Sequence, residues 1–301
     1  VPGCSNLRMA VRPDQNVILL NKGPAKKGFM ICSKCGAIAP GNELKCLQDV
    51  GQPYPSRDHS KCSHKDVKNI NLGYDFITDM LVLEFSLDSS QIDTSRENDI
   101  WLTRAGISLA EALRVRASRL LDIEFTELVT GYCPRYGRDG LFFDVYLYDS
   151  LSSGAGYSSA LANSIRSLLE DCLKFLESCS CDDACMNCLK HYRNQHVHSK
   201  LDRFAARDLL QWGMTGKCAP ALSVDRQWEL LLPLLGILNE KGILLEMRGD
   251  RIVAQKGLLE KEIEVYPAMC RPPQIPNSIF VRDLFLQHAR PLALEEIESA
   301  L

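Results

Sequence analysis

The sequence predicts a mixed α/β or α+β protein that zinc stabilises, with a smaller α+β unit at its C-terminus. Strand patterns and amphipathic helical patterns follow one another over residues 1–220, which favours a mixed sheet with packed helices. The chain has 13 cysteines, and their close spacing favours bound metal. The pattern changes after residue 220. We therefore expect a zinc-binding domain over 1–220 and a second unit over 221–301, to which the sequence assigns no role.

Hydrophobic periodicity predicts the elements of the larger unit. In chain order they are strand 17–20, a strand running into Cys32, strand 78–87, helix 108–123, strand 140–151, helix 157–176 and helix 200–212. Residues 41–69 are polar and aperiodic, and a loop of this length needs something to hold it. In the C-terminal unit, we expect a helix interrupted at Pro233, a hairpin in "ILLEMRGDRIVAQ" and a short amphipathic end.

Composition restricts the class of protein. The formal net charge of −3 and the 46% of hydrophobic residues are typical of a globular protein and exclude a uniformly basic nucleic-acid binder. No apolar run approaches the roughly 20 residues of a membrane-spanning helix, and no secretory signal is evident. We expect a cytoplasmic location, no membrane contact and reduced cysteines. Because the chain begins at Val1 without an initiator Met, we also expect a piece of a longer protein.

"CSCDDACMNC" is the densest cysteine cluster in the sequence. Cys179, Cys181, Cys185 and Cys188 are spaced closely enough for the chain to wrap round one ion and present four thiolates to it. Two disulfides within ten residues would need strained loops. An iron–sulfur cluster, which also takes four thiolates, is the second interpretation. Zinc is the first.

A second set of metal ligands lies nearer the N-terminus. Cys32 and Cys35 in "CSKCG" form half of a site, and His59 and Cys62 in "HSKC" supply two ligands three residues apart. Cys46 and His64 are rival ligands for that second half. The sequence thus predicts one Zn²⁺ and allows a second. Because four protein ligands leave no position for water, both sites would be structural.

Two further stretches are candidates for nucleic-acid binding. In "DSLSSGAGYSS", Gly154 and Gly156 allow backbone amides to converge on a phosphodiester at a helix N-terminus, although a simple strand-to-helix turn explains the same residues. The basic stretch "LKHYRNQHVHSKLDRFAAR" combines positive charge with an aromatic ring, which suits a nucleic-acid backbone and its bases. Its candidate residues are Lys190, Tyr192, Arg193, Lys200 and Arg203. A solvated helix face is the alternative interpretation.

Catalytic motifs are absent from the sequence. We find no P-loop, no G-x-S-x-G element and no H-E-x-x-H helix. We also expect no cluster of acidic or histidine residues outside the two metal sites, which speaks against an undiscovered nuclease. The chain by itself is therefore not expected to be an enzyme.

The motifs together resemble a known family. "FFDVYLYDSLSSGAGYSSAL", "CSCDDACMNCLKHYRNQ" and "LDRFAARDLL" are similar to the zinc-binding domain at the C-terminus of MrfA-type superfamily 2 DNA helicases, and related domains occur in phage-defence proteins such as those of DISARM systems. "GFMICSKCG", "HSKC" and "LGYDFITDMLVLEF" extend the resemblance to about residues 15–215. The resemblance implies a four-cysteine zinc site in a domain attached to a motor that translocates on single-stranded DNA.

Two functions follow from these observations. The first is an accessory zinc-binding domain of a DNA helicase or ATPase in DNA repair or anti-phage defence, which contacts DNA while motor lobes outside this chain hydrolyse ATP. The second is a protein-interaction scaffold within such a complex, in which zinc only makes a surface rigid. The overall acidic charge favours the scaffold slightly.

Overall fold

The computed structural model describes residues 1–48, 50–54, 60–137 and 140–301. The strands are β1 (Leu7–Asn21), β2 (Phe29–Cys32), β3 (Ile38–Pro40), β4 (Val67–Ile70), β5 (Leu72–Leu87), β6 (Leu128–Gly137), β7 (Gly140–Asp149), β8 (Ile243–Arg248), β9 (Arg251–Lys256), β10 (Leu259–Tyr266) and β11 (Ser278–Arg282). The α-helices are α1 (Asp99–Leu121), α2 (Tyr157–Asn163), α3 (Ile165–Ser178), α4 (Arg203–Thr215), α5 (Val224–Leu231), α6 (Leu235–Glu240), α7 (Asp283–His288) and α8 (Arg290–Ala300).

The chain divides into two compact units. The first contains Val1–Arg12, Asp79–Ser150 and Ala155–Leu301, and the second contains Pro13–Thr78 and Leu151–Gly154. Residues 221–301 therefore group with the first unit. The domain boundary expected at residue 220 stays a prediction.

A four-stranded sheet in the order β1-β5-β7-β6 is the framework of the first unit. β7 pairs antiparallel with β5 on one side and with β6 on the other. Alternate residues of β5, among them Leu81, Leu83 and Phe85, are fully buried, because successive side chains of a strand point to opposite faces. Helices α1, α3 and α4 supply much of the rest of this core.

The helix predicted over 157–176 is two helices. α2 ends at Asn163 and α3 begins at Ile165, with Ser164 between them at φ −115° and ψ 17°. Asn and Ser have low helix propensity and are frequent at helix ends, which agrees with a break at Asn163 and Ser164, although the Ser164 side chain makes no cap hydrogen bond. α3 then presents Leu168, Leu169 and Cys172 to the core.

The C-terminal residues enclose a core of their own. The sheet β11-β10-β9-β8 contains the predicted hairpin, and β10 runs parallel to β11. Leu231, Leu238 and Val281 are among its buried residues. Arg282 reaches back to Asp93 with a distance of 3.0 Å between Nη2 and Oδ2, so a buried ion pair links this part to the rest of the first unit.

The second unit has a three-stranded sheet in the order β3-β2-β4 and a small core. Its buried hydrophobic residues are Met30, Cys32, Cys35, Ala37, Ala39 and Leu47. In the described parts of the stretch 41–69, expected as a loop, a 3-10 turn lies at Leu44–Leu47 and β4 begins at Val67. Such a core is too small to hold the unit by apolar burial alone.

The predicted fold class is confirmed, since the structure combines helices and sheets with cysteine clusters suited to zinc. Within the described ranges, every helix is too short or too polar to cross a bilayer.

Candidate metal centres and nucleic-acid interface

The segment 179–188, here called the zinc loop, follows directly on α3 and brings its four cysteines together. The sulfur–sulfur distances are 3.4 Å for Cys179–Cys181, 3.6 Å for Cys179–Cys185, 3.7 Å for Cys181–Cys188 and 3.7 Å for Cys185–Cys188. Four sulfurs at about 2.3 Å from one tetrahedral zinc ion lie about 3.8 Å apart. The cluster therefore has the dimensions of a zinc site.

Local backbone hydrogen bonds shape the second half of the zinc loop. The amides of Cys188 and Lys190 both donate to the carbonyl of Cys185, and the amide of Cys185 donates to the sulfur of Cys188 at 3.1 Å. An amide that donates to sulfur stabilises a thiolate. This hydrogen bond therefore favours the thiolate of Cys188, although burial raises the pKa of this thiol overall.

The thiols of the zinc loop differ in acidity. Hydrogen bonds from the backbone and side chain of Cys181 lower the pKa of Cys179 to about 7. Burial raises the pKa of Cys181 to about 12. A metal ion that binds both as thiolates must release protons, so the affinity of this site for zinc rises with pH.

Arg203 fastens the zinc loop to α4. Its Nε donates to the carbonyl of Cys181 at 2.9 Å, and its Nη1 donates to the carbonyl of Leu176 at 3.0 Å. The residue is buried, and its guanidinium lies over the ring of Phe204, 3.9 Å from the centroid. This placement speaks against contact between Arg203 and nucleic acid, because two of its nitrogens already donate to carbonyls inside the protein. The contact itself stays a prediction.

The second metal group lies in the second unit and consists of Cys32, Cys35, Cys62 and His64. The sulfurs of Cys32 and Cys62 are 3.7 Å apart, and the sulfur of Cys35 lies 3.5 Å from Nδ1 of His64. A sulfur and a nitrogen on one tetrahedral zinc ion lie about 3.6 Å apart. The residues therefore fit zinc.

The fourth member of this group is His64, which the sequence offered as a rival to His59. His59 lies outside the described residues, and Cys46 is not a member of the group. The backbone of His64 is left-handed, with φ 47°, a conformation that is uncommon outside glycine and is retained mainly where a side chain must be placed. The hydrogen bond with His64 lowers the pKa of Cys32 to about 6.

A groove of about 390 Å³ opens beside the zinc loop. Its wall combines three aromatic rings with basic side chains, and Met186 lies at its edge. The residues that line it are Val115, Arg119, Phe125, Phe175, Met186, Asn187, Cys188, Lys190, His191, Tyr192 and Arg193. Tyr192 is 81% exposed and Met186 is 66% exposed. Sequence analysis missed Arg119, Phe125 and Phe175, which come from α1, the turn after it and α3.

Two polar residues, His191 and Asn194, hold the turn that presents Tyr192 and Arg193. Nδ1 of His191 accepts the amide of Arg193, so Nε2 carries the proton and donates to Glu111 at 2.7 Å. Asn194 is buried and its amide nitrogen donates to the carbonyl of Leu189 at 2.9 Å. These contacts hold the exposed side chains on a rigid base.

The predicted basic residues fall into different environments. Tyr192, Arg193 and Lys200 are exposed, and Lys190 is half-buried. Three of these four residues, Lys190, Tyr192 and Arg193, line the groove. Their contact with nucleic acid stays a prediction.

The glycine loop is organised around Asp149, which is fully buried. Its carboxylate accepts hydrogen bonds from the amides of Ala155, Tyr157 and Ser158, at 2.7, 3.1 and 3.2 Å. An acidic side chain of the protein thus takes the place that we expected a phosphodiester to take. A role for Gly154 and Gly156 in binding nucleic acid stays a prediction, and this geometry favours the turn.

The expectation that no acidic or histidine cluster lies outside the cysteine sites is wrong. Asp183, Asp202 and His288 bring potential ligand atoms within 4.8 Å of one another. Their positions in the sequence are too far apart for spacing to reveal the group.

Part of this chain matches a known domain family. Residues 109–189 match the MrfA Zn-binding domain. The predicted resemblance is confirmed. The matched residues extend from within α1 to the residue after Cys188, so the zinc loop lies inside the matched range. The prediction of zinc as the cofactor is confirmed by this match and by the two cysteine clusters.

The similarity to a second protein extends well beyond residues 109–189. Druantia protein DruE of Escherichia coli (strain UMEA 4076-1) is 31% identical over 284 residues, which are 89% of this chain and 15% of that protein. Two crystal structures of the DUF1998 helicase MrfA, one bound to DNA and one bound to DNA and AMPPNP, overlap with 68% of this chain at 13% identity. Their TM-scores are 0.40 and 0.35, over 25% and 22% of the solved chains.

Proposed function

We propose that this chain is an accessory zinc-binding domain of a larger DNA helicase or ATPase of the defence or repair type, and that it contacts single-stranded DNA through the groove beside the zinc loop. The groove carries the proposal, because exposed basic and aromatic side chains share its wall. In this proposal, the motor lobes and partner subunits belong to the rest of a larger protein or complex. The chain covers 15% of the length of its relative DruE, which supports that view.

In this proposal, zinc has a structural role at both cysteine sites. Cys179, Cys181, Cys185 and Cys188 bind one ion, and Cys32, Cys35, Cys62 and His64 bind another. The proposal puts His64 in the place first given to His59. With four protein ligands each, neither ion has an open position for water, so the zinc loop acts as a rigid wall of the groove.

The groove suits a flexible single strand better than a duplex. Tyr192 offers an exposed ring on which a base can stack, and stacking of this kind contributes about 1–3 kcal/mol per base. Arg119 and Arg193 supply positive charge on the same wall, where they can pair with phosphates. Base stacking of this kind requires bases that are not already stacked in a helix.

The test is the binding of a labelled oligonucleotide to the zinc-loaded chain, measured by fluorescence anisotropy over a series of salt concentrations. For the parent, we expect affinity that falls steeply as salt rises. Arg119→Ala with Arg193→Ala should reduce the slope of log affinity against log salt by about 0.7 for each lost phosphate contact. Tyr192→Ala should weaken binding by about 5- to 150-fold, as stacking predicts, and leave the slope unchanged.

A matched control is available on β9. Arg251 and Lys256 are exposed and lie outside the groove, so Arg251→Ala with Lys256→Ala removes the same charge without changing the groove. If this pair reduces the slope as much as the groove pair, binding is non-specific. If the parent binds no DNA at low salt, the DNA proposal is wrong and the scaffold function takes its place.

A further inference from the structure

Asp183, Asp202 and His288 converge from three separate elements of the first unit. Asp183 lies in the zinc loop, Asp202 is the N-cap of α4, and His288 ends α7. Nε2 of His288 is 3.4 Å from Oδ1 of Asp183 and 3.8 Å from Oδ2 of Asp202. A direct N–H···O hydrogen bond would bring these atoms to about 2.7–3.2 Å, so the separations are too long for one.

The 3.4 Å separation suits two ligands of a shared cation, and the 3.8 Å separation is somewhat longer than such a spacing. Nitrogen and oxygen ligands at about 2.0–2.1 Å from a tetrahedral zinc ion lie about 3.3 Å apart. The two cysteine sites show the same agreement between ligand spacing and zinc geometry. In that respect, the third group resembles the other two.

Unused polar atoms point into this group. Nε2 of His288 is buried and has no hydrogen-bond partner among the described residues. The side chain of Asp202 is 4% exposed, and the amides of Phe204 and Ala205 both donate to its Oδ1, which leaves Oδ2 to face His288. Buried polar atoms almost always have a partner, and a bound ion is one explanation for those that lack one.

The surrounding charges also favour a cation. Asp202 shares the lining of a cavity of about 330 Å³ with Asp208 and Asp283, and burial raises the pKa of all three carboxyl groups. Of the neighbouring arginines, Arg207 pairs with Asp208. Arg104 donates through Nη2 to the carbonyl of Ser199, while its buried Nη1 has no hydrogen-bond partner among the described residues.

We propose that Asp183, Asp202 and His288 bind a third divalent metal ion, for which Zn²⁺ is the best match. One nitrogen and two carboxylate oxygens are suitable ligands for zinc, and three protein ligands leave a fourth position for water or another ligand. The ion joins the zinc loop, α4 and α7. It therefore couples residues 221–301 to the cysteine-bound zinc.

Metal content is the first test. After loading with Zn²⁺ and removal of loosely bound metal under reducing conditions, the 301-residue chain should retain three ions, one for each group of ligands. His288→Ala and Asp202→Asn should each retain two; Asn remains a good N-cap, so α4 keeps its start. Asp182→Asn, an exposed neighbour of Asp183, should retain three. A parent that saturates at two ions, or a His288→Ala variant that retains three, overturns the proposal.

Co²⁺ in place of Zn²⁺ distinguishes the third site even if a variant folds poorly. Thiolate ligands give sulfur-to-cobalt charge-transfer bands, whereas an imidazole with two carboxylates gives only d–d bands. In the parent, the third equivalent should increase the d–d absorption without any further charge transfer. The proposal fails if the third equivalent of Co²⁺ adds no d–d absorption, or if it adds further charge-transfer absorption. His288 and the two carboxylates would then form only an ion pair.

Discussion

At the scale of single residues, backbone groups hold buried charges in place. Asp149 accepts three backbone amides, and Arg203 donates to two backbone carbonyls. Backbone dipoles that are fixed by the fold stabilise a charge with little rearrangement. Both side chains therefore fix the path of a loop, although Arg203 looked from the sequence like a residue on a basic surface.

Asp283 is a buried charge whose cost depends on pH. Its Oδ1 accepts the amides of Ala268 and Leu284, but burial raises its pKa to about 7. Since the unfolded carboxyl titrates near pH 4 (about 3.9), the folded state holds this proton more tightly. The stability that the neutral form contributes is complete below about pH 4 and is lost as the pH rises through about 7.

Asp283→Asn should remove the loss of folding stability that accompanies ionisation of Asp283 as the pH rises. We expect its melting temperature to exceed that of the parent by an amount that grows as the pH rises from about 4 to about 7. Asp250→Asn, in the exposed turn between β8 and β9, should show no such trend. Equal slopes of melting temperature against pH for Asp283→Asn and the parent would contradict the assignment.

At the scale of elements, strong local signals were predictable. β7 and α1 have dense patterns, and the cysteines of the zinc loop are so close together that spacing alone identified them. β6 was not predicted because it contains Gly131 and Pro134; it lies at the edge of its sheet, where a proline costs no hydrogen bond with a neighbouring strand. The break between α2 and α3 is a change of backbone dihedral angles at Ser164, which hydrophobic periodicity does not register.

The zinc loop should depend on every one of its four sulfurs. Cys185→Ser should lower the zinc content by one ion and the melting temperature by more than about 4 °C, because structural zinc contributes directly to folding and 1 kcal/mol corresponds to about 2–4 °C in a domain of this size. Metal analysis and calorimetry measure the two effects. Cys133→Ser, exposed and outside the clusters, is the control, and a Cys185→Ser protein with the metal content of the parent would refute the ligand assignment.

At the scale of the whole molecule, the two units differ in what holds them together. The first has an extensive core that includes its sheet and three helices. Among the residues that the structure describes, the core of the second contains six buried apolar side chains, two of which are candidate zinc ligands. Contacts over long distances in sequence, such as Asp202 with His288, arise only from the complete fold. That is why the third metal group could not be predicted, while the two cysteine sites could.

Removal of zinc should therefore affect the units unequally. With a strong chelator, we expect amide exchange to accelerate throughout Pro13–Thr78 while the strands β5 (from Asp79) and β7 and the helices α1 and α4 of the first unit keep their protection. Hydrogen exchange followed by mass spectrometry resolves this peptide by peptide. Uniform loss of protection across both units would show that the second unit does not rely on its metal more than the first.

The anchoring of the zinc loop by Arg203 has a kinetic consequence. Its hydrogen bonds go to carbonyl oxygens of Leu176 and Cys181, not to the thiols, so they persist when the metal has left. The zinc loop without metal then keeps nearly its zinc-bound conformation, so little chain entropy is lost when an ion binds again. The ion can therefore dissociate and bind again while the rest of the domain stays folded.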